Sequence, residues 1–552
     1  MAGMKGGAEL ETLFAGLSAE APEVGAGRRR VYDAVMACYA HAIVGLTILV
    51  LITGLTVAGA DRGETLSLHM KEAVLLALER NLDLTIERIE PLLAHEQIRQ
   101  AAGEFDPLLK LSAIGKKQEL PVTSALELGN ESGVIVEESF SPETGLAGKF
   151  TTGTQYSVAL VAPVIKTDHP NRLFSEYYRP VLNFGVTQPL LRDIGTEVNL
   201  VRFRQAEKAE RIATLGVEAK MLSVIRDVET NYWALFFAQQ HVEVAQGSLQ
   251  LAEDLVQRVR RLRGAGLATA LDLRTAETGV EARRGDLQRA EADLRNVQAQ
   301  LRVLINPDLD LRTRIRAVEE PADEGVPVDL EEKLAQALAR RPEPQRQKLV
   351  IENLQLEELL AKNNTRVRLD LIGNLGYTGL AGSGNGPRVV AVPARLQGRS
   401  SYTEAFSDFL TPDGNITWST GLQLQVPLGN REALGRLEQT RLRQQQERLR
   451  LLLLTNQISV EVQTAFQDMT AEWARFTALR EEVKLSREQL AAQERQFGAG
   501  LSTVRQLLEA QDAVAKAEDK RIQALMHYST ARSRLAAAVV ASFDTYRLVI
   551  QP

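Results

Sequence analysis

Arg263-Gly-Ala-Gly-Leu-Ala-Thr269 and Phe497-Gly-Ala-Gly-Leu-Ser-Thr503 each interrupt a long charged stretch that otherwise reads as helix. No proline occurs between Pro189 and Pro307 or between Pro427 and Pro552, and both intervals are rich in the strong helix formers Ala, Leu, Glu, Gln and Arg. A glycine pair there supplies the left-handed backbone that ends one helix and lets the next begin. The two stretches therefore predict two equivalent helix–helix turns.

Apolar residues on both sides step by three and four. Val228, Tyr232, Leu235, Val242 and Leu249 precede the first turn, and Leu273, Ala276, Val280, Leu287, Ala290 and Leu294 follow it. Val462, Phe466, Met469, Trp473 and Phe476 precede the second turn. The run after it is alanine-rich, with Leu507, Ala510, Val514, Ala517 and Ala524. This is coiled-coil spacing, and the alanines permit close approach of a neighbouring helix. A helix from about Val198 to Arg263 spans on the order of 100 Å at 1.5 Å per residue, too long to be the core of one globule.

The turns belong to a larger duplication. Shifting Gly266 onto Gly500, by 234 positions, also brings Val228, Thr230 and Tyr232 onto Val462, Thr464 and Phe466. Nearer the N-terminus the shift is 260 positions. It carries Met70-Lys-Glu-Ala-Val74 onto Leu330-Glu-Glu-Lys-Leu334, and Leu109-Lys-Leu111 onto Leu369-Asp-Leu371. The drop in shift means extra residues inside the first copy. Each copy reads as helix, strand, variable loop, strand and two long helices. The first opens with an amphipathic helix from about Leu68 to Ala102, then a strand from Leu109 to Ile114, then a polar Gly-, Ser- and Glu-rich stretch to about Phe150. Alternating residues follow from Tyr156 to Val164 and from Leu182 to Leu190. The second copy has strands over Val367–Tyr377 and Trp418–Leu428, separated by a Gly-rich loop. A Pro-Leu pair closes the last strand of each copy, where proline ends ladder pairing.

Composition narrows the function. With 44% hydrophobic and 25% charged residues the chain is that of an ordered protein, and a net charge of −6 gives no basic field for nucleic acid. The basic Arg28-Arg-Arg30, the apolar run Ala42–Val57 and Ala58-Gly-Ala60 predict a secretory signal cleaved after Ala60, with an uncleaved anchor helix as the alternative. Cys38, the single cysteine, leaves with that leader, so neither a disulfide framework nor a thiolate site is expected. After residue 60 no segment approaches the roughly 20 apolar residues of a membrane helix, so a membrane crossing requires a closed β-barrel. The six histidines show no metal-ligand spacing, and no nucleophile elbow or phosphate loop is present. Gly382-Ser-Gly-Asn-Gly386 lies in an inter-strand loop and reads as flexibility. No catalytic residue, metal or cofactor is expected, and transport energy has to come from a partner.

The duplicated order, the strand ends "GVTQPLL" and "LQVPLGN", the turns "RGAGLAT" and "FGAGLST", and the N-terminal "LSLHMKEAVLLALERNLDL" together resemble the TolC-like outer-membrane efflux and secretion channels, from Leu66 to about Phe543. The resemblance implies a mainly α fold with a small β part. Duplicated coiled-coil hairpins would form a periplasmic α-barrel, and four strands per protomer would contribute to a trimeric twelve-stranded transmembrane β-barrel. Four short strands cannot close alone, which fits a homotrimer. The expected organisation is an N-terminal extension and signal peptide (1–60), a first repeat (61–310), a linker (311–327), a second repeat (328–543) and a tail (544–552). The stretch Thr151–Val164 has no counterpart in the second copy, so the first is expected to carry an extracellular hairpin or lengthened strands.

The resemblance also implies a passive exit duct in the outer membrane, with a periplasmic extension, in a tripartite efflux pump or type I secretion system. Gly264, Gly266, Leu267, Gly498, Gly500 and Leu501 become the tips that meet a periplasmic adaptor and, through it, an inner-membrane transporter. Asp272, Gln506 and Glu509 become a gate, where a ring of carboxylates would favour cations. The alternative is a periplasmic adaptor or coiled-coil scaffold without a pore, which accounts for the helices but not for the amphipathic strands.

Overall fold

The computed structural model describes residues 65–122, 133–169, 172–305, 308, 310, 312–321, 324–325, 328–383, 396–407, 409 and 415–547. The leader and its cleavage site lie outside them, as does part of the Gly382–Gly386 loop. The chain divides into two units, residues 1–65 with 312–314, and residues 66–311 with 315–552. Of the first unit, Thr65 and residues 312–314 are described. The architecture below belongs to the second.

The described elements run β1 (Thr65–Leu68), α1 (Met70–Arg80), α2 (Leu82–Glu87), α3 (Ile89–Ala102), β2 (Leu108–Pro121), β3 (Val134–Lys149), β4 (Gln155–Val161), β5 (Val164–Thr167), β6 (Glu176–Tyr178) and β7 (Val181–Pro189). They continue as α4 (Thr196–Asn199), α5 (Val201–Gly264), α6 (Ala270–Ile305), β8 (Arg314–Ala317), α7 (Leu330–Arg340), α8 (Pro342–Asn364), β9 (Arg368–Thr378) and β10 (Ala381–Ser383). The last are α9 (Tyr402–Ser407), β11 (Asn415–Gln425), α10 (Arg431–Gly498), α11 (Val504–Ala538) and α12 (Ala541–Tyr546). The four long helices are the two expected hairpins, α5–α6 and α10–α11.

The single helix expected over Leu68–Ala102 is three. Asn81 breaks it: its side chain accepts the Leu84 N–H at 3.0 Å and donates to the Leu304 carbonyl at 3.0 Å. A short amide that bonds nearby backbone competes with the helical ladder. The helix before the break stays amphipathic, burying Met70, Ala73, Val74, Ala77 and Leu78.

Each copy's short helix packs on its own long hairpin. Val74 and Ala77 of α1 meet Ile225, Val228, Tyr232 and Leu235 of α5 and Leu301 of α6 in one buried cluster. Ala337 of α7 meets Ile458, Val462 and Phe476 of α10 and Tyr528 of α11 in a second. Fully burying side chains of this size stabilises by about 1.5–3 kcal/mol each, so the two clusters hold the middle of the hairpins. Towards the turns a third cluster joins the hairpins to each other, through Leu255 and Val259 of α5, Ala276 and Val280 of α6, and Val504, Leu507 and Leu508 of α11.

The β part departs from expectation. The polar stretch read as a loop before Phe150 contains β3, one of the longest strands, paired antiparallel with β2 from Pro121↔Val134 to Leu108↔Ala147. Its other edge is covered by β4 and β5. Beyond that, β7 pairs β4, β6 pairs β5, β9 pairs β7, β10 pairs β6 and β11 pairs β9, all antiparallel. Segments β4 and β5, β6 and β7, and β9 and β10 are broken at one level, around Pro163, Pro180 and Gly379. Bonds from Arg179 N to Pro163 O at 3.3 Å and from Gly379 N to Pro180 O at 2.9 Å carry the sheet across that break. Proline has no N–H to give the ladder, so regular pairing stops there. The nine paired segments thus form six continuous lines, in the order β2, β3, β4/β5, β6/β7, β9/β10, β11. The expected count was four. The surplus is the β3–β4 hairpin of the first copy, which includes the stretch that lacked a counterpart.

Candidate functional site: helical tips and membrane strands

The two GAGL turns have the same geometry. In the first, Leu267 N donates to Leu262 O at 2.8 Å and Gly266 N to Arg263 O at 3.0 Å. In the second, Leu501 N donates to Gln496 O at 2.9 Å and Gly500 N to Phe497 O at 3.1 Å. These are the paired bonds that close a helix on a left-handed residue. Gly266 (φ 76°) and Gly500 (φ 74°) are that residue. Gly264 and Gly498 are ordinary last residues of α5 and α10, so only the second glycine of each pair is demanded by the backbone.

The start of the next helix is encoded three residues on. Thr503 Oγ1 accepts the Gln506 N–H at 3.3 Å, and the Gln506 side chain accepts the Thr503 N–H at 3.0 Å. At the first turn Thr269 Oγ1 accepts the Asp272 N–H at 3.1 Å, while the Asp272 carboxylate accepts from Thr269 N at 2.9 Å and Oγ1 at 2.7 Å. Both are capping boxes. The Thr269 hydroxyl and N–H hold the Asp272 carboxyl below the usual aspartate range. Asp272 and Gln506, expected at a gate, thus have a local structural partner. Glu509 is exposed and pairs with Arg505 at 2.9 Å.

Outside the bonded turn the tips are bare and apolar. Leu267 is 76% exposed and Leu501 80%, and Leu271, at 75%, adds a third leucine that sequence reasoning missed. Just behind the tips Arg283 of α6, its side chain 7% exposed, reaches across to Asp512 of α11 at 2.5 Å and to Ser248 of α5 at 3.2 Å. A buried guanidinium needs such partners, and here they tie the two hairpins together. Its position, a lone arginine inside an apolar heptad seam, was the only sequence signal for it. His241, one of the unassigned histidines, sits in the same seam and pairs with Asp519 of α11 at 2.5 Å.

The strands form the second half of the site. Following the register across the sheet, Leu109 faces Leu146, which faces Val158, then Phe184, Leu375 and Trp418. One residue from each of the six lines gives an unbroken apolar row. The neighbouring row on the opposite face reads Lys110, Gly145, Ala159, Asn183, Gly376 and Thr417, small or polar throughout. In β11 Ile416, Trp418, Leu422 and Leu424 share the apolar face, and Thr417, Ser419, Gln423 and Gln425 the other. A face of exposed leucine and tryptophan backed by a polar face is what a strand between lipid and a water-filled lumen requires. Farther along β2 and β3 charges take over, with Lys117 and Glu138 paired at 3.2 Å. No helix among the described residues is long and apolar enough to cross a membrane. No cluster of potential metal ligands occurs among them either.

Long helical hairpins with bare tips, joined to lipid-type strands, define a channel protomer of the outer-membrane type. A family profile described as Outer membrane efflux protein matches residues 74–307 and 375–539. The chain belongs to that outer membrane efflux protein family, whose members are channels of the outer membrane with a periplasmic extension. Solved structures with the same fold include the outer membrane channel CmeC of Campylobacter jejuni (15% identity, 85% of each chain covered, TM-score 0.61). The outer membrane protein VceC of Vibrio cholerae is also similar (15% identity, 85% of this chain and 95% of that one, TM-score 0.59). So is the MtrE outer membrane channel of Neisseria gonorrhoeae in its open state (16% identity, 87% and 93%, TM-score 0.56). No curated protein sequence gives a match.

Proposed function

We propose that the chain is the protomer of a homotrimeric exit duct, through which a tripartite efflux pump or a type I secretion system passes small molecules or polypeptide across the outer membrane. A periplasmic adaptor docks on Gly264, Gly266, Leu267, Gly498, Gly500 and Leu501, and an inner-membrane transporter supplies the energy. The observation that carries this reading is the pair of equivalent tips. Each offers an exposed leucine on a rigid turn, at the end of a helix whose 64 or 68 residues set it about 100 Å from the membrane strands. Exposed leucines on a fixed backbone suit an apolar partner, because little ordering entropy is lost on binding.

In the same reading, the first turn beyond each tip lines the narrowest level of the tunnel, with Asp272 from one copy and Gln506 and Glu509 from the other. An aspartate held ionised by its cap favours cations there. Replacing both Asp272 and Glu509 by their amides then lowers cation preference in single-channel recordings; an unchanged preference removes this gate.

Docking is tested with Leu267→Asp combined with Leu501→Asp. The double variant is expected to lose export in cells while the yield of trimer in the outer membrane stays normal. Export at the parental rate would remove the docking role.

A further inference from the structure

We propose that each protomer contributes six strands to the outer-membrane barrel, so that three protomers close an eighteen-stranded barrel in which β11 of one copy pairs antiparallel with β2 of the next. This rests on the trimeric outer-membrane reading above and deepens it at the membrane end.

The first support is the register. Every line between β2 and β11 is bonded on both sides within the chain. Lines β3 and β4 therefore cannot belong to a separate lid while β7, β9 and β11 form the barrel, without breaking the pairs Leu146↔Val158 and Val158↔Phe184. The second is chemistry. The row Leu109, Leu146, Val158, Phe184, Leu375, Trp418 keeps one face apolar across all six lines, so the added hairpin carries the same lipid-type face as the rest. A lid in water has no use for such a row.

The third support is what remains unpaired. Along β2, and along β11 from Ile416 to Gln425, one backbone edge has no neighbouring strand among the described residues, and all of β11 is exposed. Within lipid an unpaired N–H or C=O costs several kcal/mol, so these edges have to meet a strand. Six lines are too few to curl into a barrel, since the smallest membrane barrels have eight strands. The occupant that fits is a second copy. An even number of antiparallel lines leaves the two edge strands running in opposite directions. Both are tethered at the same level, because β2 follows α3 and β11 precedes α10. Copy-to-copy pairing therefore continues the antiparallel ladder, and the apolar row passes from Trp418 of one copy towards Leu109 of the next.

Barrel diameter grows roughly linearly with strand number, so this barrel is about one and a half times as wide as a twelve-stranded one. Barrels of sixteen to eighteen strands leave an aqueous channel, which makes the membrane end a wide outlet rather than the size filter of the duct.

The test uses full-length protein in outer membranes, in a Cys38→Ser background. Lys110→Cys in β2 is combined in turn with Thr417→Cys, Ser419→Cys and Gln423→Cys in β11, all on the lumen face. At least one pair is expected to convert most of the protein to a disulfide-linked trimer under mild oxidation. The control, Ala159→Cys in β4 with the same three partners, is expected to give no link between copies. Links from β4 to β11 would overturn the proposal in favour of a twelve-stranded barrel with the β2–β3 hairpin outside it. A native trimer with no β2–β11 link in any pair would overturn it as well. A species of two copies would give twelve strands and overturn both this count and the trimer. Strand counting by electron microscopy of the trimer is the second readout, with eighteen expected and twelve contradicting.

Discussion

The two halves of this chain agree at one end and differ at the other. Their tips match bond for bond: a helix closed on a positive-φ glycine, an exposed leucine, then a capping box built by Thr269 with Asp272 or Thr503 with Gln506. Their membrane ends do not, because the first copy supplies four of the six strand lines and the second two. The difference teaches what each end must satisfy. Helices from the two copies pack side by side near the tips, so a change in one length would put the turns out of line with each other. A closed antiparallel sheet accepts additions two strands at a time, since a hairpin preserves alternation. The first copy's insertion is such a hairpin.

The comparison can be broken first at the tips. In cells, Leu267→Asp with Leu501→Asp is expected to abolish export, and either substitution alone to reduce it by a smaller factor. Full loss from one alone would mean that the two tips are not equivalent in function.

A second contrast lies in the clusters halfway along the hairpins. Tyr232 and Phe466 are equivalent positions, yet only the tyrosine has polar work. Its hydroxyl donates to Leu68 O at 2.9 Å and accepts from Glu319 N at 3.0 Å and Val318 N at 3.2 Å. Tyr232→Phe removes these bonds, but Val318 N still donates to Leu68 O at 3.2 Å, so the expected cost is that of a lost hydrogen bond, about 0.5–1.5 kcal/mol. In chemical denaturation of detergent-solubilised protein, Tyr232→Ala should cost about 3–5 kcal/mol. A Tyr232→Phe variant as stable as the parent would show that the hydroxyl contributes nothing.

The glycines sharpen the same comparison within each tip. Alanine at Gly266 or Gly500 forces a side chain into the left-handed region, at a cost of about 1–2 kcal/mol. Alanine at Gly264 or Gly498 sits in ordinary helix with open space around it and gains roughly 0.5–1 kcal/mol. Hydrogen exchange of the tip amides is expected to speed up for the first pair and slow for the second. The same direction for both would contradict the turn geometry.

The smallest contrast is in pH. The Asp272 carboxyl lies below its ordinary value when folded, so its contribution to the first tip is present above that ordinary value, near 3.8, and is lost as pH falls through the lower folded value. Gln506 does not titrate. Amide exchange, corrected for its intrinsic pH dependence, should therefore show the first turn loosening on acidification below about pH 4 while the second does not. Asp272→Asn should remove the difference.

How much of this was legible follows from particular residues. The hairpins were, because 3.5-residue spacing and an uninterrupted lack of proline leave little else for residues 201–264 or 431–498 to be. Strands β9 and β11 were, because strict alternation of leucine with polar residues survives there. Strand β3 was not. Gly145, Gly148, Pro142 and the Glu137, Glu138, Ser139 and Ser141 that precede them erase the period-two signal, and the strand is held by neighbours on both edges rather than by its own propensity. The break at Asn81 was also hidden, since it depends on a bond to Leu304, more than two hundred residues away. The caps have a signal, a threonine three residues before Asp or Gln at a helix start, but acidic and amide side chains just past a turn equally suit a gate.

The claim that this chain builds a conducting outer-membrane channel is tested most directly by single-channel recording. Protein purified from the outer-membrane fraction would be added to planar lipid bilayers. Stepwise, long-lived conductance from a heat-modifiable trimer is the expected result. A soluble monomer that never changes the bilayer current would contradict it.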